Sequence, residues 1–462
     1  MTARRTAGGS GSSGEGAGLL IRGGTVLDAD GERRADVLVS FGVVQAVGEG
    51  LEAPRGSRVL DAGGCVVAPG LVDLHSHLRE PGGEAAETVE SGSRAAALGG
   101  YTAIVAMPNT EPAIDSASVA RDVMALGAKG LCEVAVAGAI TVGRMGTRLA
   151  PMAELAELGV RLFTDDGRGV QDGGLMRRAL EYAAGLGVVL AEHCEDERLA
   201  AGGHMHEGAW SSRLGVAGQP ALAEEAMVAR DLALVRLTGA KMHFLHLSTA
   251  GSAALVAAAK AEGLAVTSEV TPHHLALCDR AVEGYDPVFK VNPPLRTRAD
   301  VEALRRAVAT GSVDAIATDH APHPTEAKDE AFDDAPPGML GLETALAVAL
   351  TVLVAEVDEN GETDGWVPRL AGSPRCFLGD VVRLMSLKPA AIAGLDRQGR
   401  RISDGEPANL IVFDPAERWR VDPAKSASRS RNTPFASRLL SGKVRHTIYE
   451  GEPVVIDSVA QR

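Results

Sequence analysis

The chain has 462 residues, of which 45% are hydrophobic and 23% charged, and its formal net charge at pH 7 is -15. This length and apolar content predict a large buried core, and the negative charge argues against nucleic acid or an anionic membrane as partner. Because no apolar run reaches the roughly 20 residues of a membrane span and no signal-peptide core follows Met1, we expect a cytoplasmic globular protein. The five widely spaced cysteines favour reduced core residues over disulfides or a thiolate metal cluster.

The pattern of apolar runs changes twice along the chain. Residues 1–18 are rich in Gly and Ser and predict a disordered leader, whereas short apolar runs broken by turn residues at 19–68 predict antiparallel strands. After Pro69 and Gly70, short apolar strands alternate with Ala-rich helical stretches. The predicted strands lie at 66–74, 102–107, 132–140, 160–164, 188–191, 242–247, 265–270 and 313–318.

Eight alternating units over roughly 320 residues are typical of an α/β fold, the TIM (β/α)8 barrel, which we place at 69–396. Residues 397–462 return to β-type sequence, in runs such as 410–413 and 444–450. We expect this last segment to join 19–68 in a small β-sandwich domain beside the barrel.

Residues that can bind metal ions stand where the predicted barrel strands end. His75 and His77 are two residues apart in extended chain and therefore point to the same side. A TIM barrel holds its active site at the carboxyl ends of its strands, so ligands there should converge. The full set is His75, His77, Asp166, His193, His246 and Asp319. Four histidines and two aspartates without cysteine favour two Zn²⁺ ions that share a bridging carboxylate, an arrangement suited to hydrolysis.

Alternation of side chains along a strand selects among neighbouring candidates. Thr164 and Asp166 share one face, which favours Asp166 over Asp165 as a ligand. In the strand that ends at His246, we expect His246 to face the barrel interior and His243 to lie in the packing layer.

Seven motifs follow one another along the chain. They are PGLVDLHSHLREPG at 69–82, MPNT at 107–110, FTDDG at 163–167, EHCED at 192–196, VTPHH at 270–274, NPPLR at 292–296 and ATDHAPH at 317–323. In this order they resemble the amidohydrolase superfamily and, within it, the bacterial class I dihydroorotases. The resemblance extends over nearly the whole chain after the leader and implies a metal-dependent hydrolase of cyclic amides.

The resemblance assigns the six ligands to two metal ions joined by one carboxylate. One ion would be bound by His75, His77 and Asp319, and the other by His193 and His246, with Asp166 as the bridge. Most of the superfamily uses a carboxylated lysine as the bridge, but no lysine occurs between Lys129 and Lys241. An Asp bridge is similar to the class I dihydroorotase pattern and argues against hydantoinases and allantoinases.

The resemblance also implies the substrate contacts. A substrate carboxylate would be bound by Arg79, Asn109 and His323, and the ring would be contacted by Asn292 and the backbone at Pro337 and Gly338; His77 would also contact the substrate. For Arg79 the alternative is a surface ion pair with Glu80 or Glu84, but its place at the barrel mouth favours carboxylate binding. Asp319 would act as general base and then as general acid while a hydroxide held by the metal ions attacks the ring.

The reaction implied by the resemblance is the reversible hydrolysis of (S)-dihydroorotate to N-carbamoyl-L-aspartate in pyrimidine biosynthesis. Two alternatives stay open, namely another cyclic amidase that acts on hydantoin or allantoin, and a non-catalytic relative that scaffolds a carbamoyltransferase. The resemblance further implies a homo-oligomer, and it leaves two alternatives open, an enzyme that works alone and one that works in a complex with aspartate carbamoyltransferase, as some relatives do. The long acidic segment 323–337 at the barrel mouth is a candidate lid.

Overall fold

The computed structural model describes residues 18–355, 364–369 and 375–462, so the predicted leader lies, except for its last residue, outside the described part. Strands and helices alternate through most of these ranges, and the α/β prediction is confirmed at this level. Among the described helices, none combines the length and the apolar character that crossing a bilayer would require.

The first five strands belong to a sheet built from both ends of the chain. They are β1 Leu19–Asp28, β2 Gly31–Ser40, β3 Val43–Gly48, β4 Arg58–Asp61 and β5 Val66–Pro69. β2 pairs antiparallel with β1 and with β3, as predicted, whereas β4 and β5 pair parallel with β1. The connection at 49–57 returns the chain to the beginning of β1, which is why β4 enters parallel to it.

The next ten strands carry the site. They are β6 Leu71–Ser76, β7 Tyr101–Ala106, β8 Glu133–Val136, β9 Leu162–Phe163, β10 Val189–Glu192, β11 Met205–His206, β12 Gly218–Gln219, β13 Lys241–Phe244, β14 Val266–Val270 and β15 Ala315–Ile316. Apart from the short β11–β12 pair, they form two parallel sheets, β6–β7–β8 and β9–β10–β13–β14–β15. Parallel bridges from Gly138 to Phe163 and from Ser76 to His320 connect the two sheets at both ends. Each of these eight strand segments therefore has parallel neighbours on both sides.

Helices follow most of the parallel strands. They are α1 Val89–Leu98, α2 Ala117–Gly127, α3 Met152–Glu157, α4 Gly173–Leu186, α5 Glu197–Ala200, α6 Ala209–Leu214, α7 Leu222–Thr238, α8 Ala250–Ala261, α9 Pro272–Ala276, α10 Arg298–Ala309, α11 Thr325–Lys328, α12 Ala345–Ala349, α13 Leu378–Val382 and α14 Lys388–Ala393. Local sequence sets their ends: Thr88 and Asp172 cap the first turns of α1 and α4, and α4 ends at Gly187, whose left-handed backbone suits glycine. One large apolar cluster joins the inner faces of these helices to the strands.

The strand predicted at 66–74 is two strands, which is a correction to the sequence analysis. Its first half, β5, pairs with β1 in the terminal sheet, and its second half, β6, pairs with β7. The break falls at Gly70, where a Cβ atom would lie 2.1 Å from Thr102 Oγ1. Only glycine allows the chain to pass so close to β7 as it crosses between the two sheets.

The last four strands complete the terminal sheet. They are β16 Leu410–Arg420, β17 Leu439–Tyr449, β18 Glu452–Ile456 and β19 Val459–Ala460. β16 pairs antiparallel with β5, so that Phe413 lies opposite Val66. The sheet runs in the order β19–β18–β17–β16–β5–β1–β2–β3, with β4 beside β1. An apolar cluster that includes Val26, Val37 and Val412 buries residues from both ends of the chain.

Candidate metal centre and active site

Four imidazoles surround one carboxylate at the carboxyl ends of the parallel strands. Asp166 follows β9, and its Oδ1 lies 3.4 Å from His75 Nε2, 3.5 Å from His246 Nε2 and 3.6 Å from His193 Nδ1, while its Oδ2 lies 3.5 Å from His77 Nε2. All five side chains are buried. The neighbouring Asp165 points away and accepts hydrogen bonds from the backbone of Ile140 and Thr141. Alternation along this strand thus selected the carboxylate that faces the imidazoles.

The second carboxylate of the cluster, Asp319, lies on its other side. Asp319 Oδ1 is 3.0 Å from His77 Nε2 and 3.5 Å from His75 Nε2. Two groups of three have ligand atoms close enough to share an ion: His75, His77 and Asp319, and His75, Asp166 and His246. His193 belongs to neither group and instead places its Nδ1 2.9 Å from His246 Nε2. The structure therefore brings all six predicted ligands together but groups them around His75.

Two of the six predicted ligands have unusual backbone. His246 and Asp319 adopt positive φ angles of 31° and 45°, and both directly follow extended chain. This turn interrupts the alternation of side chains, and the strand predicted at 313–318 is reduced to the two residues of β15. Backbone of this kind is costly for residues other than glycine and recurs at functional sites.

The expectation for His243 is wrong. Leu245 belongs to an apolar cluster that includes Leu162, Ala191 and Ala315 from three other parallel strands, and His243 shares its face. The His243 ring donates from Nε2 to Glu269 Oε2 over 3.0 Å instead of entering the outer packing layer. Strict alternation would have turned His246 away, and its positive φ brings it back toward the cluster.

Glu269 in β14 contacts the cluster and was not among the site residues predicted from the sequence. Its Oε1 lies 2.9 Å from His75 Nδ1, and both residues are fully buried. Burial would raise the pKa of Glu269, but hydrogen bonds with His243 and His75 lower it to about 2. The ionised carboxylate fixes Nδ1 of His75 as the protonated nitrogen and leaves the Nε2 lone pair toward the cluster. A buried acid inside the otherwise uncharged strand Val-Thr-Ser-Glu-Val was the available signal.

Asn109 orients the second histidine in the same way. Its Oδ1 accepts a hydrogen bond of 2.9 Å from His77 Nδ1, which leaves His77 Nε2 directed at Asp319 and Asp166. Asn109 therefore contacts the ligand cluster as well as the cavity where it was predicted to bind substrate.

The donor set fits a divalent cation. Among the described residues, His75 Nε2 is a buried atom without a hydrogen-bond partner, although two carboxylates lie within 3.5 Å of it. Burial would raise the pKa of Asp166, but His75 and the other imidazoles hold the pKa of this carboxyl well below its usual range. Lone pairs of neutral imidazoles and ionised carboxylates without thiolates are ligands that Zn²⁺ and similar ions bind.

A cavity of about 190 Å³ opens beside the cluster. It is lined by His77, Arg79, Asn109, Asp166, Gly167, His193, His246, Asn292, Asp319, Ala321, His323, Pro336, Pro337 and Gly338. Each predicted substrate contact is in this list. The volume is at the small end for a ligand site and suits a compact metabolite rather than a polymer.

The side chain of Arg79 enters this cavity rather than forming a surface ion pair. Its Nε donates to the Pro322 carbonyl over 3.2 Å. The two acids considered as alternatives are engaged elsewhere, because Glu80 accepts from Val89 N and Glu84 from Gly82 N. Within the described ranges the ion-pair alternative is therefore excluded.

Two further groups complete the cavity wall. Asn292 donates from Nδ2 to Glu195 Oε2 over 2.7 Å, and that carboxylate oxygen also accepts from Gln219 Nε2. Opposite, His323 donates from Nε2 to the Pro337 carbonyl over 2.8 Å, and burial, with the nearby charge of Arg79, lowers the pKa of His323 to about 3.

The segment predicted as a lid is tied to its surroundings. Lys328 donates from Nζ to the carbonyls of Pro287 and Pro336, at 2.9 and 2.8 Å. Gly338 N donates to the Lys290 carbonyl, and a Cβ atom at Gly338 would lie 2.7 Å from His323 Nε2. These contacts place the backbone of this segment directly over the cavity.

Solved structures with the same fold identify the class of protein. An L-hydantoinase (dihydropyrimidinase) from Arthrobacter aurescens superposes with a TM-score of 0.83 at 26% identity and covers 96% of this chain and 97% of its own. A D-hydantoinase from Thermus sp. superposes with a TM-score of 0.79, also at 26% identity. Together with the site, these likenesses define a hydrolase of cyclic amides, as the sequence predicted.

Sequence relatives identify the family. A family model described as dihydro-orotase-like matches residues 64–252. A dihydroorotase from Streptomyces coelicolor is 49% identical over 95% of this chain and 98% of its own length, and one from Mycobacterium tuberculosis is 48% identical over 95% and 98%. The chain belongs to the dihydroorotase family, and the resemblance seen in the motifs is confirmed.

Proposed function

We propose that the chain catalyses the reversible hydrolysis of (S)-dihydroorotate to N-carbamoyl-L-aspartate, a step of pyrimidine biosynthesis, in the 190 Å³ cavity. One observation carries this proposal: the cavity places the guanidinium of Arg79 and the amide of Asn109 beside the cluster of imidazoles and carboxylates. Such a site matches a compact substrate that has one carboxylate for Arg79 and Asn109 to bind and one ring amide to be hydrolysed at the cluster.

The six clustered residues would hold two Zn²⁺ ions per subunit. We assign His75, His77 and Asp319 to one ion and His193 and His246 to the other, with Asp166 between them. Bound there, divalent cations would polarise the amide carbonyl and lower the pKa of a water molecule. Glu269 and Asn109 support this role because each fixes which nitrogen of a ligand histidine faces the cluster.

Arg79 would select the substrate by its carboxylate. A guanidinium matches a carboxylate with two parallel hydrogen bonds, and Asn109 and His323 line the same cavity as Arg79. On the opposite wall, Asn292 and the backbone of Pro337 and Gly338 would contact the ring, as would His77. Anchoring the carboxylate at one end fixes the distance from the ring amide to the carboxylates of the cluster.

Asp319 would move the proton. Its carboxylate lines the cavity and contacts His77 Nε2 at 3.0 Å, which places it at the boundary between ligand cluster and substrate. There it would accept a proton from the attacking water and deliver it to the departing ring nitrogen. In the reverse direction it would take the proton from that nitrogen.

We also propose the architecture that supports the site. The parallel order of the strands and the two bridges support a closed TIM (β/α)8 barrel over 69–396. The single sheet shared by 19–68 and 397–462 would fold over its apolar cluster as a β-sandwich. Homo-oligomerisation and a complex with aspartate carbamoyltransferase stay predictions from the resemblance.

A metal-reconstituted assay tests the function. The purified chain would be loaded with Zn²⁺, the metal counted, and turnover measured with dihydroorotate and N-carbamoyl-L-aspartate, with hydantoin and allantoin in parallel. We expect the chain to interconvert dihydroorotate and N-carbamoyl-L-aspartate in both directions and to turn over neither hydantoin nor allantoin. Faster turnover of hydantoin or allantoin would favour the other cyclic amidases, and bound metal without any turnover would favour a non-catalytic relative.

A further inference from the structure

Half of the residues in the C-terminal segment 426–433 are buried although the segment has no regular secondary structure. It runs from the short 3-10 turn Pro423–Lys425 toward β17. Its residues Ser428, Ser430 and Asn432 are only 2%, 1% and 5% exposed. Buried polar groups in irregular chain need specific partners. The partners of this segment are the two loops that carry Arg79 and His323.

Asn432 joins the two ends of the loop over the cavity. Its Nδ2 donates to the carbonyls of Ala321 and Gly338, at 3.0 and 3.1 Å, and its Oδ1 accepts from His323 N at 3.2 Å. The Asn432 carbonyl also accepts from Leu340 N. One amide side chain therefore holds the backbone of His323 and of Gly338, two positions proposed to contact substrate.

The preceding serines hold the loop that carries Arg79. Ser430 Oγ donates to the Ala86 carbonyl over 2.7 Å, and Ser428 Oγ donates to the buried carboxylate of Glu87. The chain between these positions and Arg79 is compact, because Gly83 N donates to the Arg79 carbonyl and Ala86 N to the Gly83 carbonyl. A shift of Ala86 would therefore be passed on to Arg79.

We propose that residues 426–433 form a positioning strap that sets the distance between Arg79 and His323, with Asn432 as its principal residue. The proposal rests on the proposed carboxylate-binding role of these two side chains. None of the strap residues lines the cavity, so the strap acts through the loops and not on the substrate.

The strap should govern substrate binding more than the chemical step. The backbone before Asp319 is held separately, because Thr318 N donates to Asp73 Oδ1 over 2.7 Å. His75 is held by Glu269. We therefore expect loosening of the strap at Asn432 or Ser430 to leave the ligand cluster in place and to widen the part of the cavity that receives the carboxylate.

The variant Asn432→Ala tests the strap, with Asn409→Ala as the matched control. Asn409 is equally buried, at 4% exposed, and also joins two backbone segments, donating to the Arg397 carbonyl and accepting from Glu450 N. Both variants lose comparable hydrogen bonds, but only Asn432 contacts the substrate loops. Metal content, kcat and KM for dihydroorotate, and the inhibition constant of orotate, which carries the same carboxylate on an unsaturated ring in place of the hydrolysable one, would be measured for both.

For Asn432→Ala we expect KM and the orotate inhibition constant to rise about tenfold, the loss expected from one or two hydrogen bonds, with kcat within about twofold and metal content unchanged. Asn432→Gln, which keeps the amide, should recover part of the loss. Asn409→Ala should lower thermal stability and leave both constants unchanged. If KM and the orotate inhibition constant were unchanged in Asn432→Ala, or rose equally in Asn409→Ala, the proposed positioning role of residues 426–433 would be overturned.

Ser430→Ala is the milder second variant in case Asn432→Ala does not fold. It removes one hydrogen bond to the Arg79 loop, and we expect both constants to rise about threefold. Constants equal to those of the unaltered chain would contradict the proposal. If the unaltered chain turned over no dihydroorotate, the proposed function would fail. Direct titration of orotate into the unaltered chain and the variants would then still test whether the strap positions the carboxylate-binding residues.

Discussion

The carboxyl and amino ends of the eight parallel strands differ in how their buried polar groups are partnered. At the carboxyl ends, His75 Nε2 is buried without a hydrogen-bond partner among the described residues, and His246 and Asp319 have positive φ angles. At the amino ends, the carboxylate of Asp314 accepts from Lys260 and Lys388. The carboxyl edge keeps a buried polar atom without a hydrogen-bond partner, whereas at the amino edge a buried carboxylate accepts hydrogen bonds from two lysines.

The side-chain amide of Gln398, also at the amino ends, is likewise hydrogen-bonded through both its oxygen and its nitrogen. Gln398 exchanges hydrogen bonds with Thr102 at the start of β7 and donates to Glu133 at the start of β8. Satisfied buried networks rigidify a structure, whereas unsatisfied groups cost free energy that a bound ligand can recover. We infer that the amino edge serves stability and the carboxyl edge serves chemistry, and paired substitutions at the two edges can test this inference.

The largest effect is expected from removing the proposed proton acceptor. Asp319→Asn keeps the size of the side chain but removes its ability to accept a proton, and we expect kcat to fall by about a thousandfold or more. The protein should remain folded. Asp314→Asn, the same change at the amino edge, is the control and should keep nearly full activity. Near-normal turnover in Asp319→Asn, measured with dihydroorotate, would remove Asp319 from its proposed role.

The next effect concerns the carboxylate contact. Arg79→Lys keeps the charge but loses the planar pair of donors, and we expect kcat/KM for dihydroorotate to fall by about 30-fold, mainly through KM. Arg161→Lys at the amino edge, where the guanidinium donates to the carbonyls of Ala156 and Val160, should leave the kinetics unchanged. If the Arg79→Lys variant kept the original KM, carboxylate binding would have to be assigned elsewhere.

A smaller effect is expected behind the ligand cluster. Glu269→Gln replaces one accepting oxygen by a donor, so that His75 and His243 can no longer both be held, and we expect metal affinity to fall by about tenfold to a hundredfold. Competition with a chelator, followed by metal analysis, would measure it. Glu133→Gln, which alters the carboxylate that accepts from Gln398, is the control, and equal metal loss in both variants would argue against a specific role of Glu269.

The smallest effect on activity, and a clear one on stability, is expected for Asp314→Asn. Burial raises the pKa of Asp314, but hydrogen bonds from Lys260 and Lys388 bring it below its ordinary value. A carboxyl whose pKa is lower in the folded state stabilises the fold above the unfolded pKa of about 4, and this stabilisation is lost as the pH falls through the folded value. The free energy of unfolding should therefore drop by about 2 kcal/mol at pH 7 in the variant.

Denaturant unfolding at a series of pH values would measure this difference. The gap between the unaltered chain and Asp314→Asn should narrow as the pH is lowered below about 4, because the Asp314 carboxylate of the unaltered chain is then progressively protonated. A gap that stays constant from about pH 7 to about pH 3 would show that packing, and not charge, accounts for the loss.

The six predicted ligands could be found from the sequence because each lies in, or within three residues of, the carboxyl end of a parallel strand. His75, His193 and Asp319 come after predominantly apolar stretches at 71–74, 188–191 and 315–317, and the parallel fold brings such positions to one edge. Asp166 was separated from Asp165 by alternation alone. These inferences need only local pattern and one rule about the fold.

The errors and omissions have a different origin. The positive φ angle of His246, which made the inference about His243 wrong, is not readable from residue type, because left-handed backbone at histidine is imposed by surrounding structure. Asn432 contacts residues more than ninety positions away, so its partners follow from the folded chain and not from any local pattern. Glu269 is intermediate between the predictable and the unpredictable residues, since an acidic residue inside a predicted strand could have been noticed in the sequence.

The pairing of β5 has a consequence for how the protein is made. β5 stands between β1 and β16 in the terminal sheet and leads through Gly70 into β6, the strand that contains His75. Until residues 410–413 leave the ribosome, the hydrogen-bonding edge of β5 that later pairs with β16 has no strand beside it. The chain therefore carries an open strand edge through most of its synthesis, and a nascent chain arrested before residue 410 should bind chaperones or aggregate more readily than one arrested after β17 has emerged.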